Sequence, residues 1–456
     1  MSSIYYVNPA GGNDSGDGLS PASAFKTHEG RVFLPGDSVL FRRGCVIRGV
    51  LEACSGEPGK PVFYGAYGVG ERPAFLGSVA VGNPEDWEEY RPNVWRCCKA
   101  LPSEACNLIF NGGRSSGHLR WQPGQLVRQG QWHYTGIGSS SSADSGGAVP
   151  HAPGVLTLYS EGNPGTRYDG IECALWGERR LASGKRHIVL DGLSFQNGGV
   201  HGYQEIEAGY ITIRNCEFCN IGGAVWSREH GIRFGNAVEF WEGAKDILVE
   251  DCVFRQIYDS GVTHQGCDDS GEPQRIVFRN NLFIECGMAA YECRGPAARD
   301  VVFENNTCVN AGGDLSMQGE PPPRQSEIHP QPMGHHVFIW RIAQGTQTGS
   351  VVIRKNIFFE SPYGAAIYSI IDPVDERQFV IDGNCYWQTG GELLALAGGR
   401  AYQAVEFDRY RMETGHERTG MLADPMFADP LGGDWWLQPD SPCRRMGIGC
   451  LPREGS

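Results

Sequence analysis

The chain has 456 residues, with 64 glycines, 20% charged residues and a formal net charge of −14. This glycine content suits short strands joined by tight turns and argues against a helical protein. The acidic balance argues against a nucleic-acid backbone as partner, and no apolar run is long enough to cross a membrane.

The N-terminal stretch "MSSIYYVNPAGG" has neither a basic n-region nor an apolar h-region. A cytoplasmic protein is expected, or a secreted one whose leader has been trimmed. Residues 85–180 are rich in Trp, Gly and Ser and contain "GSSSSADSGG", a flexible loop by composition. They are expected to form a β-rich elaboration beside the main fold. Of the 16 cysteines, Cys216, Cys252, Cys286, Cys293 and Cys308 fall inside strand patterns, where a thiol acts as a small hydrophobe and fits a reducing compartment. Cys216 and Cys219 form a CxxC without a second one downstream. They are read as strand positions rather than metal ligands.

Seven segments share one pattern: "HIVLDGLSF", "YITIRNCEF", "DILVEDCVF", "RIVFRNNLF", "DVVFENNTC", "SVVIRKNIF" and "QFVIDGNCY". Each reads as a short strand, a polar turn residue (Asn215, Asp251, Asn280, Asn305 or Lys355 in five of them) and a second short strand. The compact repeats are about 25 residues long, the length of one solenoid coil with three short strands. A single β-helix domain over 1–456 is therefore expected, with Asn280/Asn281 stacked on Asn305/Asn306 as a side-chain ladder. A β-sandwich explains the constant spacing less well. Residues 400–418, which mix helix formers with charge, are expected to form a short helix.

The sequence resembles the right-handed parallel β-helix, or pectin-lyase-like, superfamily of carbohydrate-active enzymes. The segments that carry the likeness are "YYVNPAGGNDSGDGLSPASAFKT", "LPGDSVLFRRG", the seven repeats and "DPMFADPLGGDWWLQPDSPCRRMGIG". These motifs imply the fold and, by resemblance, a carbohydrate substrate.

The third strand of each coil aligns as "HGYQEI", "NAVEFW", "SGVTHQ", "AAYECR", "HHVFIW" and "AAIYSI". Alternate side chains of a strand face opposite ways. Val238, Val262, Tyr291, Val337 and Ile367 then fill the interior. Gln204, Glu239, Thr263, Glu292, Phe338 and Tyr368 form an outward column, with Trp241, Gln265, Arg294 and Trp340 two residues on. Glu239 and Glu292 stand two rungs apart, ~9–10 Å between their Cα atoms. Asp259 enters the middle strand with the same outward parity, and Glu242 follows in a turn. Long insertions at 223–236 and 313–336 flank these coils as expected walls of a cleft.

The leading reading is a glycoside hydrolase with catalytic Glu292, Asp259 and Glu239. Glu292 is the first choice for the acid, and Glu239 or Asp259 for the base or nucleophile. Trp241, Glu242, Thr263, Gln265, Arg294, His335, His336, Trp340 and Tyr368 are the candidate substrate contacts, with Trp226 a further indole at the rim. Indole and phenol faces suit the apolar faces of pyranose rings. His264 has inward parity and reads as a core residue. His329, His335, His336 and Glu327 show no zinc spacing, and neither metal nor cofactor is assigned. A polysaccharide lyase is the alternative, with Arg294 as base and Asp259 and Glu292 holding calcium. A non-catalytic carbohydrate-binding β-helix is the third reading. No membrane partner is expected, and the sequence sets no oligomeric state.

Overall fold

The seven repeat segments become neighbouring strands of one sheet. Arg186–Asp191, Gly209–Arg214, Lys245–Glu250, Gln274–Arg279, Arg299–Glu304, Val351–Arg354 and Phe379–Asp382 lie side by side in that order. The structure, a computed structural model, describes residues 2–136, 154–177, 180–266, 271–295, 298–313, 315, 333–342, 350–369, 378–389, 393–397 and 399–450. The side chains at 341, 342, 368 and 369 lie outside that description. Much of the expected wall at 313–336 lies outside it too.

The turn residues explain why each coil bends where it does. Asn215, Asp251, Asn280, Asn305 and Lys355 have φ of 53°, 56°, 54°, 52° and 54°, in the left-handed region. Asn and Asp tolerate that conformation better than most residues, whereas Lys355 adopts it at a local cost. The turn sends the chain into a second sheet, whose strands include Glu217–Ile221, Val253–Ile257 and Leu282–Cys286. A third sheet takes one strand from each coil: His201–Ile206, Val238–Trp241, Ser260–Gln265, Ala289–Gly295, His335–Ile342, Ala365–Ser369 and Leu393–Ala397 follow one another in it. Among the described residues each of the three sheets has ten strands. Every pairing in them is parallel except the last, where Arg400–Gln403 runs antiparallel to Leu393–Ala397. The helix expected over 400–418 is therefore shorter. It spans Phe407–Thr414, because the strand takes the first residues and Gly415, at φ 74°, ends it.

Like residues stack on like along the axis. Phe75, Phe195, Phe218, Phe254 and Phe283 form a continuous pile, with successive ring centroids 5.5, 5.1, 5.3 and 4.7 Å apart. Beside it runs the amide ladder. Asn281 donates through Nδ2 to Asn306 Oδ1, Asn306 to Asn356 and Asn356 to Asn384, at 3.1, 3.1 and 2.9 Å. All four amides point the same way, so the last needs an acceptor. Glu417 supplies it, taking Asn384 Nδ2 at 2.7 Å and the Tyr386 hydroxyl at 2.7 Å. Burial pushes this carboxyl up to about 7.

Two further sheets stand apart from the coils, with strands running from Ser78–Ala80 to Ile171–Leu175; they are antiparallel except where His118–Leu119 runs parallel to Gln131–Tyr134. They enclose a second apolar core that includes Trp87, Leu108, Trp132, Tyr134 and Leu158. The insertion at 223–236 is a hairpin of Ala224–Ser227 and Ile232–Phe234. Arg233 ties it to this second core. Its guanidinium donates to Gly223 O at 2.7 Å, Cys106 O at 2.8 Å and Asn107 Oδ1 at 2.9 Å.

Candidate active site

The register of the third sheet places the expected column together. Gln204 pairs with Glu239, Glu239 with Thr263, Thr263 with Glu292, and Glu292 with Phe338. Phe338 in turn pairs with Tyr368, whose side chain lies outside the described residues. Their inward neighbours Val238, Val262, Tyr291, Val337 and Ile367 are all in the main core. Alternation along each strand therefore produces the column the sequence predicts.

The column is not an open floor. Glu239, Thr263 and Glu292 are 3%, 0% and 1% exposed. The expectation of a solvent-facing sheet is corrected, and the reason lies two residues further along each strand. Trp340 Nε1 turns back to donate to Glu292 Oε1 at 2.7 Å, and Trp241 makes a hydrogen bond to Glu239. These indoles lie over the acids. Arg294 completes the cover, its guanidinium 4.4 Å from the Trp340 ring and 5.8 Å from that of Trp241.

Each acid sits in a defined set of contacts. Glu239 Oε2 accepts from Gln204 Nε2 at 2.9 Å and lies 3.0 Å from His201 Nδ1. Its Oε1 accepts from Asn236 Nδ2 at 3.3 Å. Glu292 Oε2 accepts from Ser260 Oγ and Gln265 Nε2, both at 3.1 Å. Arg294 Nη1 donates to Gln265 Oε1 at 2.9 Å. Burial pushes both carboxyls up to about 7. Arg294 opposes the shift on each, while Asp259 and Glu239 add to it on Glu292. Between the two, the Thr263 hydroxyl is buried without a hydrogen-bond partner.

Asp259 serves the backbone first. Its Oδ2 accepts the Gly235 N–H at 2.8 Å and so anchors the end of the hairpin. Glu242 lies in the turn after Trp241, with φ 45°. His264 is a core residue, as its parity predicts. It meets the Tyr291 hydroxyl at 2.8 Å, and burial holds its pKa down at about 4. His336 is corrected as a substrate contact. It stacks on Phe358 of the core, 5.6 Å between centroids, and burial holds it near 3. His335 accepts the Ala365 N–H through Nδ1 at 3.0 Å, an anchoring role within the sheet. Trp226 is 42% exposed on the hairpin, edge-on to Phe234.

Among the described residues, no three His, Cys, Asp or Glu side chains gather where they could hold a metal ion. Cys216 is buried and Cys219 half-buried on the following strand, and all described cysteines are free thiols. Sequence reading passes over His201, Asn236 and Ser260. Each opens or precedes a strand of the third sheet, so its position relative to the acids depends on the bend of the turn before it.

The chain matches no family model. It likewise matches no curated protein. Solved structures do resemble it. One named as a glycoside hydrolase has a TM-score of 0.52 at 10% identity, covering 87% of this chain and 95% of its own. This chain is a right-handed parallel β-helix of pectin-lyase-like fold. A lacto-N-biosidase from Eubacterium ramulus gives a TM-score of 0.44 at 13% identity, with 85% of this β-helix and 64% of that chain covered. The pectate lyase Pel9A gives 0.36 at 11%, with 97% and 90% covered. At these identities the likeness is one of fold. No helix among the described residues of the β-helix is long and apolar enough to cross a membrane.

Proposed function

We propose that this β-helix is a glycoside hydrolase acting on an oligo- or polysaccharide. The observation that carries the reading is the Glu239–Glu292 pair: two buried carboxyls on one face, two rungs apart, both pushed up to about 7. Two strand spacings separate their Cα atoms by ~9–10 Å, which leaves room for a water and a glycosidic bond between two side chains on one face. A carboxyl that titrates near neutral pH can give or take a proton there. Thr263 offers an unpartnered hydroxyl between them. Trp241 and Trp340 border the pair, and a sugar reaches the acids by displacing these indoles and stacking on them. The neighbour named as a glycoside hydrolase is in keeping with this reading.

Arg294 is poorly placed to be the base of a lyase. Its guanidinium is committed to Gln265 and packed on Trp340, and arginine gives up its proton with great difficulty. Product analysis on a panel of glycans tests the reading. Hydrolysis products are expected from the wild type, with Glu239→Gln and Glu292→Gln each slowed at least ~100-fold. Unsaturated, ultraviolet-absorbing products would make the protein a lyase instead. Binding without turnover, unchanged in both variants, would make it a carbohydrate-binding β-helix.

A further inference from the structure

The contacts of Glu239 differ from those of Glu292 in one respect. His201, which opens the strand one rung before Glu239, is buried. The Asn236 backbone N–H is directed at His201 Nδ1 at 3.2 Å. A donor aimed at a ring nitrogen meets a lone pair, so Nδ1 carries no hydrogen and the ring is the Nε2–H tautomer. Yet Glu239 Oε2 lies 3.0 Å from the same Nδ1. Two lone-pair atoms at that distance repel unless a proton lies between them, and only the carboxyl can supply it.

The remaining contacts agree. Asn236 Oδ1 accepts the Ser260 N–H at 2.9 Å, which orients its amide so that Nδ2 donates to Glu239 Oε1. That oxygen is then the carbonyl of a carboxylic acid. Gln204 Nε2 uses a lone pair that the hydroxyl oxygen Oε2 retains. With one proton on Oε2 the carboxyl still accepts from Asn236, Gln204 and Trp241, and the single Nδ1 lone pair is shared by the Asn236 N–H and the carboxyl proton. Around Glu292, Trp340 Nε1 and Gln265 Nε2 donate, and the Ser260 hydroxyl is free to turn its hydrogen toward the carboxylate as well. The Trp340 indole has no acceptor, and Arg294 fixes the Gln265 amide with its Nε2 toward the carboxylate.

We infer that His201 is a positioning residue that holds a proton on Glu239, making Glu239 the general acid and Glu292 its ionised partner. This reverses the first choice drawn from the sequence, and it rests on the hydrolase reading. In the reaction the Glu239 O–H turns from Nδ1 to the glycosidic oxygen as the C–O bond breaks. Water forms the new C–O bond, and its released proton goes to Glu292. The proton then returns from Glu292 to Glu239 through solvent, restoring both groups. The charged groups facing Glu239 are His201, Arg294 and Glu292, with Asp259 acting through Glu292.

The test combines infrared titration of the carboxylic-acid C=O band with the pH profile of kcat/KM. Wild type is compared with Glu239→Gln, Glu292→Gln, His201→Leu and His201→Asn. An Asn side chain keeps an acceptor near the place of Nδ1, and Leu removes it. Glu417 titrates in the same range and contributes equally in every variant. Beyond that constant contribution, the band component near neutral pH is expected to vanish in Glu239→Gln and persist in Glu292→Gln. In His201→Leu its midpoint should fall by about one pH unit or more, since the proton loses its acceptor, and His201→Asn should restore it. The alkaline limb of kcat/KM should follow the band. A band that vanishes only in Glu292→Gln, or a midpoint unmoved by His201→Leu, overturns the inference. If His201→Leu does not fold, His201→Gln, whose amide is displaced from the Nδ1 position, takes its place. An expected band pattern in an enzyme that cleaves no glycan would defeat the hydrolase reading and leave the proton assignment standing.

Discussion

Glu417 closes the asparagine ladder, and its removal should change how stability depends on pH. The carboxyl is fully buried at the end of four aligned amides, and burial raises its pKa from 4.5 to about 7. A raised pKa means that the folded state binds the proton more tightly than the unfolded chain. Its stabilising effect is fully present below pH ~4.5 and is lost as pH rises through ~7. A shift of that size corresponds to roughly 3 kcal/mol across the window. Glu417→Gln keeps the shape and abolishes the titration. Gln has one acceptor oxygen where Glu417 has two, and Asn384 uses both of these through its N–H and Nδ2. The variant should therefore lose about 1 kcal/mol at pH 5 from one weakened hydrogen bond. Urea denaturation at pH 5 and pH 8 measures both effects. Wild type should lose more stability than the variant on going to pH 8, by roughly 3 kcal/mol. Parallel losses in the two proteins would refute the idea that the ladder ends on a titrating group.

Phe254 lies mid-stack between Phe218 and Phe283, so Phe254→Ala should cost about 3–5 kcal/mol in denaturant unfolding. Trp340→Phe keeps the ring over the site and removes the donor to Glu292. Loss of that donor disfavours the ionised carboxyl, so the acidic limb of the kcat/KM profile should move up by about one pH unit. Lys355→Asn, at φ 54°, should leave the fold unchanged and raise the denaturation midpoint by up to about 1 kcal/mol of stability. Circular dichroism during urea titration reads this change.

The solenoid was legible because it repeats. One apolar pattern, seen seven times, specifies strand parity, the turn position and the rung spacing together. The Glu239–Thr263–Glu292 register follows from that repetition alone. Burial of the same column was not legible, because alternation says which way a side chain leaves the sheet and nothing about what folds back over it. Trp241 and Trp340 return across two positions to bond with the acids, a contact made by side-chain torsions. His336 misled for a related reason. The pair His335–His336 begins a strand, and pattern alone does not say which of two adjacent residues takes the inward place. The stack on Phe358 decides it. Helix formers at 400–403 were overridden by the free edge of Leu393–Ala397, which offered backbone partners to a returning strand.

Arg233 joins two parts of the chain that the repeat would otherwise leave independent. It fastens the hairpin to the separate β unit through Cys106 and Asn107, and Asn107 Nδ2 reaches across to Gly222 O at 2.7 Å. The hairpin then runs directly through Gly235, held by Asp259, into Asn236, which touches both Glu239 and His201. A torque applied to the outlying unit is therefore transmitted along a short covalent lever to the atoms that orient both acids, because Asn236 also holds Ser260, which bonds Glu292. Mechanical strain from a large ligand gripped by that unit would reach both carboxyls of the pair through Asn236.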